Sequence, residues 1–139
     1  MFQHILVPVD LAYLNTIQRS LEVAAAEAKS HNAPVTYVSV TASGPTRLVN
    51  TPEEFQKMLH SFADQQAEAH KIEAKSLALI TNDPTTEVDD VLMRAIEETG
   101  ADLVVMASHK PGFADYFWPS SGGKIASHST ASVFVVRDV

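Results

Sequence analysis

The sequence contains no cysteine. This excludes a disulfide framework, thiolate chemistry and any cysteine-based zinc site. Basic residues are also scarce: Lys and Arg total 10 against 17 Asp and Glu, a formal charge of -7. Nucleic acid needs a basic footprint, so DNA and RNA are not expected as main partners. A small anion held by backbone N–H groups is not excluded by that balance. No apolar run approaches the length that spans a bilayer, and the opening "MFQHILVPVD" lacks a basic leader region and a cleavage site. A cytoplasmic protein without membrane insertion is therefore expected. Low-complexity linkers and internal repeats are absent as well, so residues 1–139 are read as a single domain.

What is present is enough apolar material for a core. Apolar residues make up 45% of the chain and charged residues only 19%, which excludes a disordered chain. The run "HILVPVD" has little alternation, as expected of a strand covered on both faces. Leu14, Ile17, Leu21, Ala24, Ala25 and Ala28 then recur at helical spacing, and His31, Asn32 and Pro34 end the pattern. A second strand follows over Val35 to Val40. Thr51, Pro52 and Glu54 open a second helix as a capping box with proline at its first position. Phe55, Met58, Leu59 and Phe62 supply its buried stripe. "KSLALIT" predicts a third strand. After the turn "NDP", Thr86 with Asp89 opens a third helix, which Gly100 stops. "ADLVVMA", a short helix from about Gly122 to His128 and "SVFVV" complete the chain. Strands alternating with amphipathic helices predict an α/β fold: an open, doubly wound, five-stranded parallel sheet of flavodoxin or Rossmann type, with strand order 3-2-1-4-5.

In such sheets ligands sit beyond the carboxyl ends of the strands, where the strand order reverses. Two loops then become candidates. One follows the first strand and carries Asp10. The other, "ASHKPGFADYFWPSSGGK" over 107–124, follows the fourth. It joins the small Ala107 and Ser108, Lys110, the hydroxyls of Ser120 and Ser121, and Gly122 and Gly123 to a helix start, where free N–H groups and the helix dipole favour an anion. It is not a P-loop, because the G-x-x-x-x-G-K-[ST] spacing is missing. Ser-Ser-Gly-Gly is equally an ordinary loop composition. Asp10 can instead cap the helix that follows it. A loop histidine such as His109 is more often a polar surface group than an acid or base. Phe113, Tyr116, Phe117 and Trp118 can cover a ligand or pack on the domain, and packing is the commoner use of clustered aromatics.

Three separated segments, "ILVPVD", "GADLVVMASHKP" and "SHSTASVFVVR", match in order, and over essentially its full length the chain resembles the universal stress protein family. The wording "ASHKP" is similar to a subgroup carrying an A-S-H-[KR]-P loop. Nucleotide-binding members of the family carry G-x-x-G, about nine residues, then G-[ST]. Here those positions read Ala107 to Lys110, eight intervening residues, then Pro119 and Ser120. Lysine in place of glycine costs energy wherever the backbone needs positive φ, and Pro119 removes one N–H donor. The resemblance implies binding of ATP or another adenine nucleotide, with Mg2+ or Mn2+ held mostly by phosphate oxygens. It implies that Pro8, Val9 and Asp10 border the adenosine, Asp10 lying near the ribose or a metal, and that Val40 lies by the adenine. Met106, Ala107, His109 and Lys110 would run along the ribose and phosphates, with Ser120, Ser121 and Gly122 cradling the phosphates. It also implies a homodimer through Ser132 to Val136. Independently, a terminal strand reading "SVFVV" is a sticky sheet edge unless it is paired.

No nucleophile–base–orienter set can be read, so a stress-response regulator rather than an efficient enzyme is expected. Two alternatives stand beside it. One is a slow ATPase or nucleotide-modifying enzyme assisted by Asp10 or His109. The other is a protein-interaction module, without a nucleotide, that presents the aromatic loop.

Overall fold

The structure, a computed structural model, describes residues 1–46, 48–82, 88–108 and 121–137. Strands β1 (Ile5–Pro8), β2 (Val35–Ala42), β3 (Ala74–Thr81), β4 (Leu103–Ala107) and β5 (Ser132–Val136) form one sheet in the order β3-β2-β1-β4-β5. Every pairing is parallel. The expected fold class and strand order are what the structure has. The near-continuous apolar strands follow from burial on both faces: β1 and β4 are buried throughout. Side chains alternate between two cores. Ile5, Val7 and Val9 meet Leu21, Ala24 and Ala28 of helix α1 (Gln18–His31) and Phe55, Leu59 and Phe62 of helix α2 (Pro52–His70). Leu6, Val38 and Val104 meet Val91, Leu92 and Ile96 of helix α3 (Val88–Thr99) and Ile125 of helix α4 (Ser121–His128).

The helix ends follow local chemistry. Thr51 Oγ1 accepts the Glu54 N–H at 3.2 Å, and Pro52 stands in the first turn. Glu54 reaches back to the Asn50 N–H rather than to that of Thr51, so the box closes one residue further out. Asn32 ends α1 in the left-handed region at φ 51, and Gly100 does the same after α3 at φ 70. Thr86, the expected cap of the Thr86–Asp89 box, and the turn at Asp83 and Pro84 lie outside the described residues.

One expectation is corrected. The helical pattern from Leu14 is not one helix. A 3-10 helix covers Leu11–Thr16, and α1 begins only at Gln18. Tyr13 departs from helical geometry at φ -132, ψ 40, and Thr16 Oγ1 donates back to the Tyr13 carbonyl at 2.7 Å. Ile17 still packs into the core at 4% exposure, so the apolar spacing survives the break that it conceals. Strand β2 also runs two residues beyond the expected Val40, paired with β3 as far as Ala42↔Thr81.

The amino ends of the strands carry a separate polar lock. The Asp102 carboxylate accepts the Gln3 N–H at 3.0 and 3.1 Å and the His4 N–H at 3.1 Å. His4 Nε2 shares a 2.8 Å hydrogen bond with Thr36 Oγ1 on β2. The Asp102 main chain donates to His4 O and accepts from Ser132 N, so this one residue joins β1, β4 and β5.

Candidate functional site

The crevice arises where the sheet reverses. Strand β1 has β2 on one side and β4 on the other, yet its two ladders differ in length. With β2 it pairs from Ile5↔Val35 to Pro8↔Val38. With β4 it pairs only at Ile5↔Leu103 and Leu6↔Val104, whereas β4 stays paired with β5 to Ala107↔Val136. Beyond Leu6 and Val104 the two central strands therefore part. This unpaired stretch lies at their carboxyl ends, the usual ligand position in such sheets.

Pro8 ends β1 on one wall, followed by Val9 at 0% and Asp10 at 8% exposure. Val40 lies near the end of β2 at 4%. Met106 and Ala107 end β4 on the other wall, both buried. Six of the expected site residues are thus brought together by three adjacent strand ends. Ser121 and Gly122 open α4. That helix leads directly into β5, which is parallel to β4, so its N-terminus lies at the carboxyl end of the sheet. His109, Lys110 and Ser120, with the aromatic residues 113 to 118, lie outside the described residues.

Asp10 has a defined local role. Its Oδ1 accepts the Ala12 N–H at 3.0 Å, and its carbonyl accepts the Tyr13 N–H at 3.0 Å. It is the cap of the 3-10 helix, the bland alternative raised by its sequence position. Capping leaves it at the crevice wall. The sequence reading missed Ser39, whose hydroxyl donates to the Val9 carbonyl at 2.7 Å from a position 3% exposed. The only hint is a small polar residue inside the otherwise buried run "VTYVSV". Ser108 extends the other wall by donating its N–H to Val136 O at 2.9 Å.

Among the described residues the arrangement offers main-chain groups at strand ends and a helix start. Among the described residues no group of three His, Asp or Glu side chains is placed to hold a metal. No helix there is long and apolar enough to cross a membrane.

Solved structures share this architecture. A universal stress protein from Archaeoglobus fulgidus superposes with a TM-score of 0.71 at 21% identity, covering 97% of this chain and 98% of that one. A universal stress protein in complex with cAMP gives 0.68 at 16% identity, covering 99% of both chains. The Archaeoglobus fulgidus universal stress protein in complex with dAMP gives 0.67 at 20% identity, covering 96% of both. At these identities the likeness establishes the fold. The model of the universal stress protein family matches residues 1–137, and the chain belongs to that family.

Proposed function

We propose that this protein binds an adenine nucleotide, ATP or a related adenylate, in the crevice between β1 and β4, and acts as a regulator rather than an efficient enzyme. The observation that carries this reading is the early end of the β1–β4 ladder, beyond which Val9, Asp10, Met106 and Ala107 lie, with Val40 on the neighbouring strand. Universal stress proteins of the same fold holding cAMP and dAMP support it. The phosphates extend toward the start of α4, where Ser120, Ser121 and Gly122 supply N–H groups and hydroxyls to the helix dipole. His109 and Lys110, in the A-S-H-K-P loop, lie along the ribose and phosphates. Mg2+ or Mn2+ would be held mostly by the phosphate oxygens of the nucleotide, since such ions rarely need a full protein cage.

Calorimetry with ATP and with AMP, each with and without Mg2+, tests the proposal. Binding is expected, and replacing Ser120 and Ser121 together by alanine is expected to weaken it about tenfold or more, the loss of one or two hydrogen bonds to a charged group. No heat at millimolar nucleotide would discard the reading in favour of an interaction module.

The protein is also proposed to be a homodimer through Ser132 to Val136. Strand β5 is a sheet edge on which Phe134 and Val135 are each 41% exposed. Unpaired apolar edges seek a partner strand. Sedimentation is expected to give a dimer, and a monomer at tens of micromolar would remove this claim.

A further inference from the structure

We propose that Ser39 is the positioning residue of this site: its buried hydroxyl holds the Val9–Asp10 turn in the geometry that receives the ligand. The inference rests on the adenylate reading above and names the device on which that reading depends.

Among the described residues, the bonds to Val9 come from the β2 side. On the β4 side the ladder stops at Leu6↔Val104, so main-chain pairing there does not reach Val9. Pro8 has no N–H to contribute. On the β2 side, Val9 N donates to Val38 O at 2.8 Å, and Ser39 Oγ donates to Val9 O at 2.7 Å. A side-chain donor thus grips the Val9 carbonyl where β1 leaves the sheet. At 3% exposure water competes little with that bond, which strengthens it and makes its loss costly. Directly beyond the grip come Asp10, in extended geometry at φ -109 and ψ 107, and the Ala12 N–H that caps onto it. The bond to Ser39 thus fixes the Val9 carbonyl directly before Asp10. Sites of this kind work only while their contact groups stay within a fraction of an ångström of place.

Two readouts test this, one of them independent of nucleotide. In Ser39→Ala, amide hydrogen exchange at Ala12 is expected to speed up by about tenfold or more, because the carbonyl directly before its cap acceptor loses its donor. AMP affinity, measured by calorimetry on the folded fraction, is expected to fall about tenfold. Ser39→Thr, which keeps the hydroxyl, is expected to restore both even where its extra methyl lowers the melting temperature. A merely structural serine would lower the melting temperature and leave both readouts unchanged, and that result overturns the proposal. So does equal loss in the alanine and threonine variants. If the unaltered protein binds no adenylate, the adenylate reading fails, and with it the ligand part of this inference. The hold on the turn is still decided by the exchange at Ala12.

Discussion

Replacing Asp102 by alanine is expected to lower folding stability by about 2 kcal/mol at neutral pH, and to remove the acid-sensitive part of the stability below about pH 4. The carboxylate takes N–H groups of Gln3 and His4, pinning the start of β1 to the start of β4. It is partly exposed, so water recovers some of the loss, and the figure stays near the lower end for charge-assisted bonds. Burial works to raise its pKa, but the N–H groups of Gln3, His4 and Asp102 itself and the charge of His4 outweigh it, and the net direction is down. A carboxylate depressed in the folded state contributes fully above its unfolded value, about 3.9. That contribution is lost as the pH falls through the lower folded value. His4 adds a second step. Burial, then the nearby Lys75, holds its imidazole below the usual value, against the pull of Asp102 and Glu73. Below about pH 6.5 the unfolded chain therefore takes up this proton before the folded one does, and stability decreases as the pH is lowered through that window. Denaturant melts from pH 3 to 8 read both steps. His4→Gln is expected to flatten the upper one and Asp102→Ala the lower one, and a lower step unchanged in Asp102→Ala would show that the carboxylate is not the acid-sensitive group.

At Tyr37 the two parts of one side chain are expected to act in opposite directions. Its ring lies in the core between β2 and α2, fully buried, with the Phe62 ring edge-on at 5.2 Å and 83°. Tyr37→Ala is expected to cost about 3–5 kcal/mol, from lost transfer energy and an unfilled cavity beneath α2. The hydroxyl is a liability. Buried with the ring, it has no hydrogen-bond partner among the described residues, and burial pushes the phenol well above its usual pKa, so it stays neutral. Tyr37→Phe keeps the ring and removes a desolvated polar group, and a gain of about 1 kcal/mol is expected. Urea melts of the two variants decide this. A loss in Tyr37→Phe would mean that the hydroxyl is satisfied in solution.

Much of the fold was legible because it depends on local patterns. Apolar runs without alternation mark strands covered on both faces, and β1 and β4 are buried end to end. Thr51 with Pro52, and Gly100 at positive φ, act within one helical turn of themselves, so their chemistry is visible in the sequence. The split at Ile17 was not visible, because Leu14 and Ile17 keep the same spacing whether the chain between them is one helix or two pieces. Asp10 could be placed at the crevice by its position after a strand. The alternative, a cap for the helix that follows, was legible too, and the Ala12 N–H bond shows that it is used.

By itself, the sequence determined the layers and the order of elements. Periodicity and capping encode those directly. Only the tertiary structure decided where β1 and β4 part, which serine grips Val9 and which carboxylate ties the amino end of the sheet. Those contacts join residues 30 and 98 or 99 positions apart, and no local pattern carries information over such separations. They form because parallel strands distant in the chain are brought side by side by helices that bury both faces of the sheet.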